Sequence, residues 1–251
     1  VVPEARFPAK RISVLRIPLD ILPEDKIDEA VKQLLASGRV QQIVLLSVWD
    51  LMRARRNTEF RAMVNNAGLV IPISLSLVKA ARFLKREVPI RYMPFDFIIK
   101  LLGVLESHGK TIYILGSRKK VIKIAERNIK ATFPGLRVVG RYAGFYKRPM
   151  EADIIKAIRK ATPSLLMVGR GVAGRERWVA RSLKHFESGL ALWCDDVFDI
   201  FAEKRRRVSR AAFQRGLEWI PYTFARPWKL GRFFVFFWFK VLLLAYRIKR
   251  W

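Results

Sequence analysis

The stretch from Thr111 to Gly171, "TIYILGSRKKVIKIAERNIKATFPGLRVVGRYAGFYKRPMEADIIKAIRKATPSLLMVGRG", decides the fold. Three short apolar runs, "TIYILGS", "LRVVGRY" and "LLMVGRG", alternate with two segments of helical period, "KKVIKIAERNIKATFPG" and "MEADIIKAIRKATP". Near-continuous apolar strands need cover on both faces, and helices of this length supply it through right-handed crossovers. The pattern therefore predicts a mostly parallel sheet flanked by helices, an α/β, Rossmann-like class.

Outward from this stretch the alternation continues. Upstream, "RISVLRI" reads as a strand, "PEDKIDEAVKQLLASG" as an amphipathic helix ending near Gly38 and "QQIVLLSV" as a buried strand, a β-α-β opening. Helical patterning follows from Asp50 to about Asn66, then a strand in "GLVIPIS" and helices in "LSLVKAARFLK" and "FDFIIKLLGVLESHG". Downstream come a helix in "GRERWVARSLKHF" and a strand in "ALWCDD". After Asp196 the chain turns basic, aromatic and helix-like, with "KRRR" at Lys204 to Arg207. The reading divides it into an α/β domain, 1–196, and a C-terminal helical, membrane-docking appendage, 197–251.

Forty-nine Lys and Arg against twenty-one Asp and Glu give a formal charge of +28, which selects polyanions as surroundings: anionic lipid, nucleic acid or phosphorylated substrates. One cysteine, Cys194, and two histidines, His108 and His185, exclude a disulfide framework and argue against a cysteine or histidine metal site. The first residues lack the long apolar core of a secretory signal, so no cleavable export signal is expected. No zinc finger, RNP-like strand or recognition-helix pattern is present, which argues against nucleic acid as the partner.

Glycine ends two predicted strands. Gly116, Gly169 and Gly171 would let backbone amides approach a diphosphate at the carboxyl edge of the sheet. Gly144, Phe145 and Tyr146 add aromatic faces that could border a base or sugar. Arg170 and Arg175 are candidate diphosphate ligands by charge-assisted hydrogen bonding, and Asp195, Asp196 and Glu176 are the candidate catalytic carboxylates.

The tail "FFVFFWFKVLLLAYRIKRW" is the most apolar segment. As a helix, Phe233 to Tyr246 spans about 21 Å, short of the roughly 30 Å hydrocarbon layer. Lys240 near its middle would cost about 3 kcal/mol in a crossing. Arg226, Lys229, Arg232, Lys240, Arg247 and Arg250 share one stripe, leaving Phe233, Phe234, Phe237, Trp238, Val241, Leu242 and Ala245 on the rest. This predicts a helix lying in the plane of an anionic membrane surface, aided by Arg205, Arg206 and Arg207.

From about Arg11 onward the chain resembles the WecG/TagA/CpsF glycosyltransferases. Segments 111–180, "TIYILGS" to "RERWVA", and 197–230, "VFDIFAEKRRRVSRAAFQRGLEWIPYTFARPWKL", carry the likeness. The resemblance implies an inverting, metal- and cofactor-independent hexosyltransferase at the inner face of a bacterial membrane. Its donor would be a UDP-sugar and its acceptor a polyprenyl-diphosphate-linked glycan of envelope assembly, with an appendage that docks on the bilayer. An oligomer or an envelope-assembly partner stays open. Arg91 and Asp96 in "RYMPFDF" match the family's R-x-x-G-x-D-L except for Pro94. Glu176 and Trp178 match the Glu and Trp of P-K-Q-E-x-W, with Arg175 for its Gln, and Asp199 matches the Asp of F-D-F. Where the family carries the Asp-Gly of its proposed general base, this chain has Ile73 and Ser74, with Ser76 at the second glycine. Isoleucine cannot accept a proton. A catalytically degenerate relative serving as a membrane-bound assembly or regulatory partner is the alternative.

Overall fold

The structure, a computed structural model, describes residues 7–216 and 232–248. Strands β3 (Val40–Leu46), β4 (Leu69–Pro72), β5 (Thr111–Leu115), β6 (Arg137–Tyr142), β7 (Leu165–Gly169) and β8 (Gly189–Asp195) form one sheet in the order β4-β3-β8-β7-β5-β6. Every neighbouring pair runs parallel. The predicted α/β sheet is present.

Period-two alternation sends successive strand residues into different cores. On β5, Ile112 and Ile114 join the core beneath helices α1 (Ile27–Ala36), α5 (Pro94–Ser107) and α6 (Lys119–Thr132). Tyr113 and Leu115 face the opposite core, with α7 (Glu151–Ala161) and α8 (Glu176–Ser182). On β7, Leu165 and Met167 go one way, Leu166 and Val168 the other. Because both faces are buried, these strands read as unbroken apolar runs.

A third core fills the end of the sheet at β3 and β4. It gathers α2 (Val48–Arg56), α3 (Thr58–Asn65), α4 (Leu75–Phe83) and a two-stranded sheet of β1 (Lys10–Val14) and β2 (Ile17–Ile21). The last described helix, which follows α9 (Val197–Phe201) and α10 (Arg210–Arg215), is α11 (Arg232–Ile248). It lays Phe239 and Leu243 into this third core, with Val235, Phe236, Leu242 and Tyr246 packed around them. Trp49 on α2 meets Phe236 edge to face at 4.8 Å.

Three sequence expectations change. The single strand in "RISVLRI" is a hairpin that turns at Leu15 and Arg16, both in the left-handed region, with φ of 50° and 66°. The β-α-β opening is therefore hairpin, helix, strand. The helix expected from Asp50 to Asn66 is two helices, because the Asn57 side chain accepts from the amide of Phe60 and starts α3 afresh. In the tail, Leu242 turns inward, so the apolar positions split into two faces. Phe234, Phe237, Trp238, Val241, Leu244 and Ile248 form the exposed one. Among the described residues, no helix is long and apolar enough to cross a membrane. α9, beyond Asp196, packs Val197, Phe198 and Phe201 into the same core as α6.

Candidate functional site

The chain leaves β5 toward the β6 edge through α6 on one face. It leaves β7 toward β8 through α8 on the other. Adjacent parallel strands whose connections diverge open a crevice at their carboxyl ends. Gly116 and Gly169 flank it. A Cβ on Gly116 would stand 2.8 Å from the Gly169 backbone, and Gly116 has φ +141°.

The loops beyond β5, β6, β7 and β8 are tied to one another by main-chain bonds. Ser117 N donates to Arg170 O at 2.5 Å, Gly144 N to Ser117 O at 2.8 Å, Phe145 N to Gly171 O at 2.7 Å and Arg170 N to Asp195 O at 2.7 Å. Gly116 N is held by Tyr142 O at 3.0 Å. Glycine here first permits loop to approach loop, and the Gly116 and Gly144 amides serve that frame. Ser117, Phe145, Arg175 and Asp195, four non-glycine residues of these same loops, have positive φ. Such strain persists where the surroundings over-determine the backbone, as at ligand sites.

Side chains converge on the crevice. The Phe145 ring is 60% exposed and lies over Gly171, where a Cβ would meet it at 2.6 Å. Ser117 Oγ donates to Asp199 Oδ1 at 3.3 Å, and Arg170 Nη2 lies 3.8 Å from Asp199 Oδ2. Asp196 pairs with Arg205. Burial, then the neighbouring Asp195 charge, push the Asp196 carboxyl up, against Arg205. Asp195 itself points to solvent. Tyr146, beneath the loop, has a buried hydroxyl with no hydrogen-bond partner, and burial pushes its phenol up. Glu176 Oε2, Asp196 Oδ2 and Asp199 Oδ2 are likewise buried, each facing an arginine: Arg53 at 3.5 Å, Arg205, and Arg170 at 3.8 Å.

The ends of β3 and β4 are closed differently. Ile73 N donates to Leu46 O at 3.0 Å, and Val48 N to Ser74 Oγ at 3.3 Å. Arg91 Nε donates to the Ile73 carbonyl at 3.0 Å and Nη1 to the Phe213 carbonyl at 2.7 Å, with its guanidinium 3.7 Å from the Phe213 ring. Asp96, in the first turn of α5, lies 3.9 Å from Arg210. Arg207 stacks 4.1 Å over Phe95. Segment 205–216 is thus strapped across this end by its own Arg205, Arg207 and Arg210 and by Arg91, which holds Phe213. Arg205 and Arg207, expected at a lipid surface, face Asp196 and Phe95; Arg206 is exposed.

The sequence reading missed Asp50. It forms a reciprocal capping box with Ser47 at the start of α2, its carboxylate accepting from the Ser47 hydroxyl at 2.5 Å and from the Ser47 amide at 3.0 Å. Glu176, at the start of α8, lies beside it. Burial, then the Asp50 charge, push the Glu176 carboxyl up, while Arg53 at 3.5 Å opposes. Two carboxylates, Asp50 and Glu176, therefore stand beyond the end of β3, next to the strand whose end carries Ile73. Arg175, just before Glu176, is exposed. Arg226, Lys229 and Arg250 lie outside the described residues, and of Arg232 and Phe233 only the backbone is described. Among the described residues, no three His, Cys, Asp or Glu side chains gather to hold a metal ion.

Comparison with known proteins fits this edge to a family. The family model described as "Glycosyl transferase WecG/TagA/CpsF family" matches residues 12–251. The chain belongs to that family. It is 22% identical over 179 residues to a Bacillus subtilis (strain 168) protein, covering 71% of this chain and 69% of the relative. It is 19% identical over 232 residues to a relative from Staphylococcus aureus (strain MW2), covering 91% and 90%. Both relatives are named N-acetylglucosaminyldiphosphoundecaprenol N-acetyl-beta-D-mannosaminyltransferase.

Proposed function

We propose that the protein is a membrane-surface glycosyltransferase that moves a hexosamine-type sugar from a UDP-sugar to a polyprenyl-diphosphate-linked acceptor in cell-envelope polysaccharide or glycolipid synthesis. The observation that carries the reading is the crevice at the diverging ends of β5 and β7, framed by Gly116, Gly169 and Gly171 and edged by Phe145. The exposed Phe145 ring offers a face to the uracil. Arg170, whose pairing with Asp199 is long, turns to the diphosphate and neutralises the departing UDP. Asp199 then keeps Ser117 as its partner and fixes the floor of the site. On the acceptor side the base of choice is Glu176, whose raised carboxyl matches proton abstraction near neutral pH better than an exposed carboxylate does. Asp50 keeps it from ionising too early.

The outer face of α11 supports a position at a lipid surface. One face of the helix is committed to the third core, and the other presents Phe234, Phe237 and Trp238 outward with Lys240 exposed beside them. A cleft that takes a lipid-borne acceptor works best where the lipid is.

The test is transfer of radiolabelled sugar from a UDP-hexosamine to a short-chain polyprenyl-diphosphate-linked N-acetylglucosamine in vesicles. Product that accumulates with wild type and falls with Arg170→Ala supports the reading. A second reading, a catalytically degenerate assembly partner, draws on Ile73 and on the engagement of Arg91 by Phe213. It expects nucleotide binding without transfer under the same conditions.

A further inference from the structure

The exposed apolar face of α11 has a cationic margin, and that margin continues onto α4. Lys240 is exposed and neighbours Phe237 and Leu244 of the apolar face, three residues before it and four after. Arg247, two turns further along the same line, is exposed too, and its guanidinium lies 4.5 Å from the ring of Phe83 on α4. These two cations stand between the apolar face and the side that carries Phe239 and Leu243 into the third core. α4 adjoins the margin there, with Leu77, Ala80 and Ala81 buried in that same core and Phe83 packed against it.

Beyond Phe83 the positive charge goes on. Lys79, one turn before Phe83 on the same side of α4, is exposed, as is Arg82. Lys85 and Arg86 are exposed in the turn that ends the helix. That turn is well defined: Lys85 has φ 54°, its amide donates to Arg82 O at 3.0 Å, and the Arg86 amide donates to Ala81 O at 2.9 Å. Neither α4 nor α11 contains an acidic residue, and Glu87, the first one after α4, is paired with Lys10. Cations along the margin of an apolar face match a surface that is anionic outside and apolar beneath. An acidic protein would satisfy the cations and leave Phe234 and Phe237 in water. We propose that α4 and α11 together form a docking surface for a bilayer of anionic lipid, the outer face of α11 entering the acyl boundary and Lys79, Arg82, Lys85 and Arg86 meeting the phosphates beside it. The surface rests on the membrane reading given above and deepens it by adding a contact from the α/β domain. α4 begins just after Ile73 and Ser74, so the lipid it holds lies beside the end of the sheet assigned to the acceptor.

The test is flotation of the full chain with vesicles of phosphatidylglycerol and phosphatidylcholine mixed, against phosphatidylcholine alone. Wild type binds the anionic vesicles more tightly. Lys79→Gln with Arg82→Gln loses about tenfold of that preference, with an unchanged unfolding midpoint, since both side chains end in water. Lys156→Gln with Arg159→Gln, the same residue types at the same spacing on exposed positions of α7, costs about twofold or less. An environment-sensitive dye on Arg82→Cys shifts to the blue on the anionic vesicles and one on Lys156→Cys does not, Cys194 being buried away from the reagent. Equal binding of wild type to both vesicles, preference retained in the α4 pair or lost equally in the α7 pair, or a dye at position 82 that stays in water overturns the surface and leaves the membrane reading standing. Wild type that floats with neither vesicle removes both; if it then sediments as a dimer that Trp238→Ser separates, the apolar face belongs to a second copy.

Discussion

The carboxyl ends of β5 to β8 and those of β3 and β4 lie along one sheet edge, yet they are finished by different chemistry. The first group is finished by backbone: glycines let four loops interlock through main-chain bonds, and the strain sits in Ser117, Phe145, Arg175 and Asp195. The second is finished by side chains: Ser74, Asp50 and Arg91 close it, and a strap from the distant 205–216 segment lies over it. A backbone frame holds a shape whatever its side chains do. A side-chain frame can be rebuilt by substitution, which is how Ile73 can stand at the end of β4 without disturbing the fold.

The largest expected effect comes from removing the proposed base. Glu176→Gln lowers the transfer rate by about 10² to 10⁴, whereas Ile73→Asp leaves the wild-type rate unchanged. Initial rates at saturating donor measure both, and a rise with Ile73→Asp would mean that the acceptor side lacks its carboxylate. Next is Gly116→Ala, which sets a Cβ against the Gly169 backbone and costs about 3 kcal/mol of stability. Gly38→Ala, at φ +68° with nothing within 4 Å, costs about 1 kcal/mol. Urea unfolding of the two variants compares a frame glycine with an ordinary turn glycine. Arg170→Ala weakens UDP about tenfold in titration while leaving the unfolding midpoint in place.

The smallest effect is on stability, at the Glu176 carboxyl. That carboxyl is raised in the folded protein by burial and by Asp50, so folding favours the protonated form. The stability this contributes is complete below the unfolded value, about 4.3, and is lost as pH rises through the folded value. Glu176→Gln removes that slope, so its unfolding midpoint overtakes that of wild type as pH rises toward neutrality. Parallel pH profiles would place the Glu176 carboxylate in water.

What could be read from the sequence follows the same division. The parallel sheet was legible because strands buried on both faces leave continuous apolar runs, and the crevice was legible because glycine at a strand end is a local signal. The hairpin was not, since Leu15 and Arg16 make its turn without the Asn or Gly that announces one. Asp50 was within reach: "SVWD" has the Ser-x-x-Asp spacing of a capping box ahead of an apolar run. The pairing of Arg91 with Phe213 and of Asp196 with Arg205 joins residues that no local pattern connects. In the tail, helical period revealed an apolar surface but not its division. Which residues face the third core and which face outward depends on Trp49 and its neighbours, far away in the chain.

Calorimetric titration of the full chain with UDP addresses the central claim most directly. Saturable heat at a single site, displaced by a UDP-hexosamine and weakened by Phe145→Ala, is the predicted result. An absence of heat and of competition at millimolar nucleotide would contradict it.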